Sequence, residues 1–417
     1  MNTQEIITIT IVLAAIFAYI NHRFVKWPPT IGIMALSLIS SILLATLGTS
    51  QSLLSQKAIQ LALSVDFRDV LMNFMLSFLL FAGAIHINAA KLKRERWPVI
   101  LLATLGILIS TFLVGGMTWY LFQLFNKPIP FLYCLLFGSL ISPTDPIAVL
   151  GILKKAGIPS SLELKISGES LFNDGVAVVV FISIAGIINS GAADFSAVEV
   201  VKLFATEAFG GLIFGALLGY IGFWALRSID EYKVEVMITL AIVMGGYLLA
   251  SKLHVSGPLA MVVAGIITGN KSKSEGMSDL TRDYLGKFWE LVDEILNAVL
   301  FLLIGLEMLI IKIDKTVILI GSISILIVLL ARWISVSLPV FLLKYKIKFE
   351  PHAISILTWG GLRGGISVAL ALSLSSAMHR DEFLLITYII VVFSILVQGL
   401  TIGSLAKKLQ QPVTKKV

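Results

Sequence analysis

Residues 168–175 read Gly-Glu-Ser-Leu-Phe-Asn-Asp-Gly, and this stretch decides how the rest of the chain is interpreted. A long apolar run follows it, so Glu169 and Asp174 lie where hydrocarbon is expected. An ionisable group at membrane depth costs a few kcal/mol or more, which indicates a function. On a helix, Glu169 shares a face with Asn173, and Ser170 shares a face with Asp174. The stretch therefore predicts a buried helix with a polar strip.

The composition around this stretch is that of a polytopic membrane protein. Hydrophobic residues make up 57% of the 417 residues and charged residues 14%, and the mean hydropathy is +0.95. Soluble domains average about 25% charged residues. Cys134 is the only cysteine, which excludes an intrachain disulfide and a cysteine-built metal site. The net charge of +7 is expected to collect in cytoplasmic loops, so it does not indicate a nucleic-acid partner.

Apolar segments long enough to cross a bilayer predict an all-α fold of about thirteen transmembrane helices. The first segment lacks a basic leader and a small-residue cleavage site, so it is expected to be a retained helix. The ninth begins Ser256-Gly257-Pro258, which leaves a broken or re-entrant helix open. The segments are 5–21, 28–47, 66–88, 97–123, 129–153, 162–188, 197–226, 232–251, 256–269, 287–311, 316–341, 351–377 and 382–405.

Basic residues are distributed unevenly between the loops. One set of alternate loops carries 22 of the 32 lysines and arginines, and the other set carries 8. By the positive-inside rule, the N-terminus is expected outside and the C-terminus in the cytoplasm. The protein is expected in a plasma membrane or a bacterial inner membrane.

The fifth segment contains Ser-Pro-Thr-Asp-Pro at 142–146, with two prolines three residues apart. Proline removes a backbone donor and biases the preceding residue away from helix. We expect the helix to stop near Ile141 and to restart at Asp145, which would act as its N-cap. A simple proline kink is the alternative.

The twelfth segment contains Gly-Gly-Leu-Arg-Gly-Gly at 360–365, which predicts a second broken helix. The two interrupted segments run in opposite directions and hold corresponding positions in two halves of the chain. This arrangement is typical of inverted-repeat transporters, whose site lies between the breaks. Segments four to six would correspond to segments eleven to thirteen.

A buried arginine at position 363 requires a counter-charge. The candidates are Glu169, Asp174 and Asp145. We expect Arg363 to pair with Glu169, with Asn173 sharing the pair, which leaves Asp174 as the free carboxylate. Such a group can hold a proton or a small cation but not both, and exclusive occupancy combined with alternating access predicts an exchanger.

Other acidic residues are expected to be structural. Glu307 in the tenth segment is expected to pair with Arg332 in the eleventh. Glu290, Asp293 and Glu294 are expected to form an interfacial face, with a cation-attracting acidic funnel as the alternative.

These motifs, in this order, resemble the NhaP and eukaryotic sodium/proton exchanger branch of the monovalent cation–proton antiporters. The resemblance covers almost the whole chain and implies electroneutral Na⁺/H⁺ exchange by a homodimer with a role in pH homeostasis, without a cofactor. It implies that Asp174 is the shared cation and proton site, that Thr144, Ser170 and Asp145 complete the shell of the transported Na⁺, and that Glu169 and Arg363 brace the core. The Asn173-Asp174 pair is typical of electroneutral members.

The resemblance also implies a division of the chain into five parts. These are N-terminal helices at 1–96 (part of the dimerisation region and the start of the core), a core repeat with the first broken helix at 97–190, linking and dimerisation helices at 191–315, a core repeat with the second broken helix at 316–405, and a short basic tail at 406–417.

One position departs from the family pattern. Some prokaryotic relatives carry an acidic residue where this chain has Ala82, so the preference among Na⁺, Li⁺ and K⁺ stays open. Two other functions remain as alternatives, a cation channel and an intramembrane enzyme with Asp145 and Asp174 as an aspartyl pair.

Overall fold

The computed structural model describes residues 3–47, 59–61, 69–189, 197–275 and 278–410. Its described residues form a helical protein in which the one extended pairing joins Asp145 to Leu362. The helices, in chain order, are α1 (Thr3–Ile20), α2 (Pro29–Leu47), α3 (Leu76–Ile85), α4 (Ala89–Arg94), α5 (Arg96–Ala103), α6 (Leu105–Leu124), α7 (Phe131–Ile141), α8 (Ile147–Lys155), α9 (Ser160–Asn189), α10 (Ala197–Arg227), α11 (Tyr232–Lys252), α12 (Gly257–Glu275), α13 (Asp279–Glu307), α14 (Lys315–Leu343), α15 (Ala353–Trp359), α16 (Gly365–Leu372), α17 (Arg380–Phe393) and α18 (Gly399–Gln410).

The described helices follow the thirteen predicted segments in order. Within the described ranges, eight helical stretches are long and apolar enough to cross a membrane, and three shorter apolar helices accompany them. The predicted start of the third segment, at 66, lies outside the described residues, as do residues 411–417 of the predicted tail. Large apolar side chains such as Ile213 and Leu326 stay exposed on the outer helices, as expected of surfaces that face lipid.

The ninth segment forms one unbroken helix, so a broken or re-entrant helix is not found there. Helix α12 runs from Gly257 to Glu275, and Pro258 falls in its first turn. Proline is tolerated at that point because the first N–H groups of a helix have no intrahelical acceptor.

Two apolar clusters make up most of the core. The larger one joins α7, α9, α14 and α17, and includes the stacked rings of Phe137 and Phe383 at 5.2 Å. The second joins α3, α11, α12 and α13 around Phe81 and the fully buried Trp289. Helix α9, which carries the Gly-Glu-Ser-Leu-Phe-Asn-Asp-Gly stretch, contributes side chains to both clusters.

A buried lysine anchors one end of α9. The Lys165 ammonium lies 3.2 Å from a Glu95 oxygen and 3.0 Å from a Glu350 oxygen, so it ties α9 to the turns before α5 and α15. Burial raises the pKa of the Glu350 carboxyl, but hydrogen bonds from Ser161, its own backbone and Lys165 outweigh this effect and lower the pKa below its usual value. This ion cluster fixes the position from which α9 runs towards the two breaks.

Candidate cation and proton site

Two helix breaks meet at the centre of the molecule, as the prolines and glycines predict. Helix α7 ends at Ile141 and α8 begins at Ile147, whereas α15 ends at Trp359 and α16 begins at Gly365. The backbone N–H of Asp145 donates to the Leu362 carbonyl at 2.8 Å, so the two unwound stretches pair as a short antiparallel bridge. The bridge satisfies backbone groups that the breaks would otherwise leave unpaired away from water.

The first helix restarts two residues later than predicted. Asp145 was expected to cap α8, but the residue that precedes the helix is Pro146, whose carbonyl accepts from the Leu150 N–H at 2.8 Å. Asp145 pairs instead with Leu362 of the other break. A cap assigned from sequence takes account only of the helix that follows it. Here the backbone conformation of Asp145 is decided by its pairing with Leu362, which is distant in the chain.

Arg363 does not pair with Glu169, so that prediction is wrong. Its Nη1 donates to the carbonyls of Ser142 at 2.7 Å and Pro143 at 3.0 Å. These carbonyls lie at the C-terminal end of α7, where a break leaves acceptors free and where the helix dipole favours a cation. The guanidinium is 1% exposed and thus binds one broken helix to the other.

Glu169 pairs instead with Arg332 of α14. Both carboxylate oxygens accept from the guanidinium, with Nη2 to Oε2 at 3.0 Å, and both side chains are buried. Nε and Nη2 of Arg332 also donate to the Leu357 carbonyl at 3.3 and 3.2 Å. The predicted Glu307–Arg332 pair is therefore wrong, and one oxygen of the buried Glu307 has no described hydrogen-bond partner.

The missing side chain at position 361 makes room for Arg332. A Cβ on Gly361 would lie 2.5 Å from the Arg332 Nε, closer than real Cβ contacts. The glycines of the second break therefore interrupt the helix and also admit the guanidinium that Glu169 binds. Sequence reasoning attributed only the first role to them.

Thr144 holds the first break against α9. Its hydroxyl accepts from Asn173 Nδ2 at 2.8 Å, and its carbonyl accepts a short hydrogen bond from the Ser170 hydroxyl. Asn173 thus does not share the Glu169 ion pair, as had been predicted. Its other amide atom, Oδ1, is buried without a described partner.

A cavity of about 450 Å³ brings together all four residues predicted to hold the cation. Thr144, Asp145, Ser170 and Asp174 all line it. Asp174 is 7% exposed and close enough to Asp145 for their charges to repel. Among the ion pairs of the described residues, none involves Asp174. Carboxylate, hydroxyl and carbonyl oxygens are the ligands that hard cations prefer.

The glycine at position 364 lets Asp145 approach the start of α16. A Cβ there would lie 2.4 Å from Asp145 Oδ2. The Asp145 carboxylate therefore packs against the N-terminal end of α16, where the helix dipole favours an anion. Arg363 and Asp145 thus balance the opposite dipole ends that the two breaks expose.

The structure adds two cavity residues to the four predicted ones. Asp293, expected in an interfacial face with a cation-attracting acidic funnel as the alternative, lines the cavity, and so does Ser367. Asp293 lies seven residues before Leu300, which also lines the cavity, so the two share one face of α13. Ala82 is 1% exposed and packs in the second apolar cluster, while its neighbour Gly83 lines the cavity.

Comparisons with known proteins agree on one family. A family model described as "Sodium/hydrogen exchanger, transmembrane" matches residues 11–408. The chain is 49% identical to the Na(+)/H(+) antiporter NhaP of Pseudomonas aeruginosa, covering 99% of this chain and 98% of that one. It is 36% identical to the Na(+)/H(+) antiporter NhaH of Halobacillus dabanensis, covering 82% and 84%. The structure of the sodium proton antiporter MjNhaP1 from Methanocaldococcus jannaschii superposes with a TM-score of 0.76 at 19% identity, over 96% of this chain and all of that one, which shows a shared fold.

Proposed function

Since the chain belongs to the sodium/hydrogen exchanger family, we propose that it exchanges Na⁺ for H⁺ by alternating access, with both ions competing for Asp174. One observation carries the proposal: Asp174 lines the cavity while both nearby arginines are engaged elsewhere. Arg332 binds Glu169, and Arg363 binds the end of α7. The Asp174 carboxylate is thus left to a mobile ion.

The transported Na⁺ would be held by oxygen atoms from two elements. Asp174 and Ser170 come from α9, and Asp145 and Thr144 come from the first break. The Ser170 hydroxyl already touches the Thr144 carbonyl, so a cation bound between these oxygens would replace their hydrogen bond. Glu169, Asn173 and Arg363 support the site by holding α9 and the two breaks in place.

We propose that exchange is electroneutral. Neither arginine pairs with Asp174, so a cation that binds there does not release an arginine from an ion pair. One Na⁺ then replaces one H⁺, and the exchange moves no net charge. Li⁺ and K⁺ fit the same oxygen chemistry. In accordance with the sequence expectations, the chain would work as a homodimer with its N-terminus outside and its C-terminus in the cytoplasm of a plasma or bacterial inner membrane.

The alternatives lack comparable support. A channel needs a polar path across the membrane, whereas the polar residues of this site gather at the two breaks. An aspartyl enzyme would use Asp145 and Asp174 but gives no role to the second break or to Arg363. The family is a family of transporters.

A flux assay tests the proposal. Purified protein in proteoliposomes should move protons when a Na⁺ gradient is imposed, as read by a trapped pH-sensitive dye. Asp174→Asn keeps the shape of the side chain and removes its titration, so flux should fall to the background of empty vesicles. Asp283→Asn is the matched control, because Asp283 lies exposed on α13 in a pair with Lys287. Flux at the wild-type rate in Asp174→Asn would refute the site, and Na⁺ leakage without proton movement would favour a channel.

A further inference from the structure

Two buried side chains between α17 and α18 hold both ends of the second break. They belong to a π-helical turn over Ser394–Gln398, a form that is rare in helices and common at functional sites. The Ser394 hydroxyl accepts from the backbone N–H of Arg363 at 2.9 Å, and the Gln398 Nε2 donates to the Trp359 carbonyl at 3.0 Å. One residue of the pair thus binds the end of α15, and the other binds the backbone just before α16.

A third hydrogen bond joins the two side chains to each other. The Ser394 hydroxyl donates to Gln398 Oε1 at 2.8 Å, and the two residues are 1% and 4% exposed. The amide of Gln398 therefore uses its oxygen towards Ser394 and its NH₂ group towards Trp359. A side chain without both a donor and an acceptor could not make these two contacts, so they require an amide at this position.

Contacts from the second break reach the residues of the cation site. Nη1 of Arg363 donates to two carbonyls at the end of α7, and the Leu362 carbonyl accepts from the Asp145 N–H. Ser394 fixes the backbone at Arg363, and that stretch of backbone carries the groups that hold the first break. A shift of the second break would therefore also move the Asp145 carboxylate, which packs against Gly364.

The first break is held in a similar way by α9. The Ser170 hydroxyl donates to the Thr144 carbonyl, and Asn173 Nδ2 donates to the Thr144 hydroxyl at 2.8 Å. Helix α9 follows the first broken helix in the chain as α17 follows the second. Each broken helix is thus held by one hydroxyl and one amide side chain from the next long helical segment of the chain.

We propose that Ser394 and Gln398 are positioning residues that set the affinity for Na⁺ without touching the ion. Neither residue lines the cavity, so the pair acts through the second break, which places Asp145. Small displacements are sufficient, because a misplacement of about 1 Å in a functional group can cost about a hundredfold in activity. The inference rests on the proposed exchange function and adds a second helical segment to the parts that shape its cation site.

The apparent KM for Na⁺ and the Vmax in the proteoliposome flux assay separate positioning from folding. Ser394→Ala leaves the Arg363 N–H without its acceptor, and Gln398→Met keeps the length of the side chain without its amide. Each variant should raise the KM for Na⁺ by roughly tenfold, whereas a loss of folded protein lowers Vmax alone. The double variant should raise the KM by less than the product of the two single factors, because both side chains act on one break.

Two further variants serve as rescue and control. Ser394→Thr keeps the hydroxyl and should keep the KM near the wild-type value. Ser324→Ala removes a hydroxyl from a residue of α14 that is 0% exposed. That hydroxyl is bonded within its own helix, to the Ile320 carbonyl at 2.8 Å, so the KM of this variant should not change.

The outcomes distinguish this inference from the proposed function. An unchanged KM in both Ser394→Ala and Gln398→Met, with active wild-type protein, overturns the inference, whether or not Vmax falls. An equal rise of the KM in Ser324→Ala overturns it too, because any buried hydroxyl would then have the same effect. If one of the two variants does not fold, the other decides, since each removes a hydrogen bond to the same break. Wild-type proteoliposomes without Na⁺-driven proton flux would overturn the proposed function itself.

Discussion

A buried ion pair between Glu169 and Arg332 joins α9 to α14. Both side chains are buried, and the guanidinium also binds the Leu357 carbonyl. Removing one partner of a buried pair costs about 3–5 kcal/mol, because the remaining charge is left uncompensated. We therefore expect Arg332→Ala to lower thermal stability in detergent far more than Asp174→Asn, which removes no partner.

A double-mutant cycle checks whether the cost comes from the pair. Glu169→Gln combined with Arg332→Ala should destabilise by clearly less than the sum of the two single changes, since neither charge is then left alone. Lys287→Ala breaks an exposed pair with Asp283 and should change the melting temperature little. If the losses of stability in the two single variants simply added up in the double variant, a direct interaction between Glu169 and Arg332 would be contradicted.

The residue types of the site could be predicted from the sequence, but the partners of the two arginines could not. Thr144, Asp145, Ser170 and Asp174 share one cavity, in agreement with the cation shell that the family resemblance implied. The sequence identified Arg363 as a buried charge but did not show which group it meets. An arginine can reach a carboxylate or the free carbonyls of a helix end, and only the packing of α14 against the breaks decides between them.

At the scale of elements, the contact between the two breaks depends on the absence of a side chain at position 364. The Cβ of an alanine there would lie 2.4 Å from Asp145 Oδ2, so Gly364→Ala should displace the Asp145 carboxylate. The helices on either side would still form, since alanine favours helix. We expect apparent Na⁺ affinity in the flux assay to fall on the order of tenfold or more, as displaced functional groups commonly cause.

A glycine in α8, the helix that follows the first break, provides the matched control. Nothing lies within 4 Å of a Cβ placed on Gly151 in α8, so Gly151→Ala adds the same methyl group without a clash. This variant should keep the wild-type affinity and be slightly more stable, because alanine is the better helix former. Equal affinities for the two variants would mean that Asp145 does not depend on its packing against Gly364.

The positions of the breaks were predictable, whereas their exact ends were not. Pro143, Pro146 and the glycines at 360–365 interrupt helices for local reasons, which sequence alone reveals. The restart of α8 at Ile147 depends on the hydrogen bond from Asp145 to Leu362, a contact between residues more than two hundred positions apart. Local rules cannot supply a contact of that kind.

At the scale of the whole molecule, hydropathy was sufficient to order the helices but not to describe their buried faces. Helix α13 is an example, because its acidic start suggested an interface with water or lipid headgroups, whereas the structure places Asp293 on the cavity wall. Membrane helices are apolar on most sides, so their periodicity says little about which side meets protein. The cavity walls emerge only once all helices are packed.

The last prediction concerns pH and follows from one site that serves two ions. At low pH a proton occupies Asp174 and excludes the cation, so apparent Na⁺ affinity should weaken by about tenfold per pH unit there. At very high pH no proton is available for the return step, so turnover should fall again. The rate should thus follow a bell-shaped profile, whose acid limb moves to lower pH as Na⁺ is raised.

Proton flux measured in proteoliposomes across pH, at several Na⁺ concentrations, checks this behaviour. Simple competition at Asp174 requires no separate pH-sensing residue. The basic limb of the profile should not move to lower pH as Na⁺ is raised. His86→Gln is an informative control, because His86 lines the same cavity and histidine is the residue type suited to sensing pH near neutrality. If the acid limb stayed fixed as Na⁺ increased and moved instead in His86→Gln, a distinct titrating group would control the rate, and competition at Asp174 would have to be abandoned.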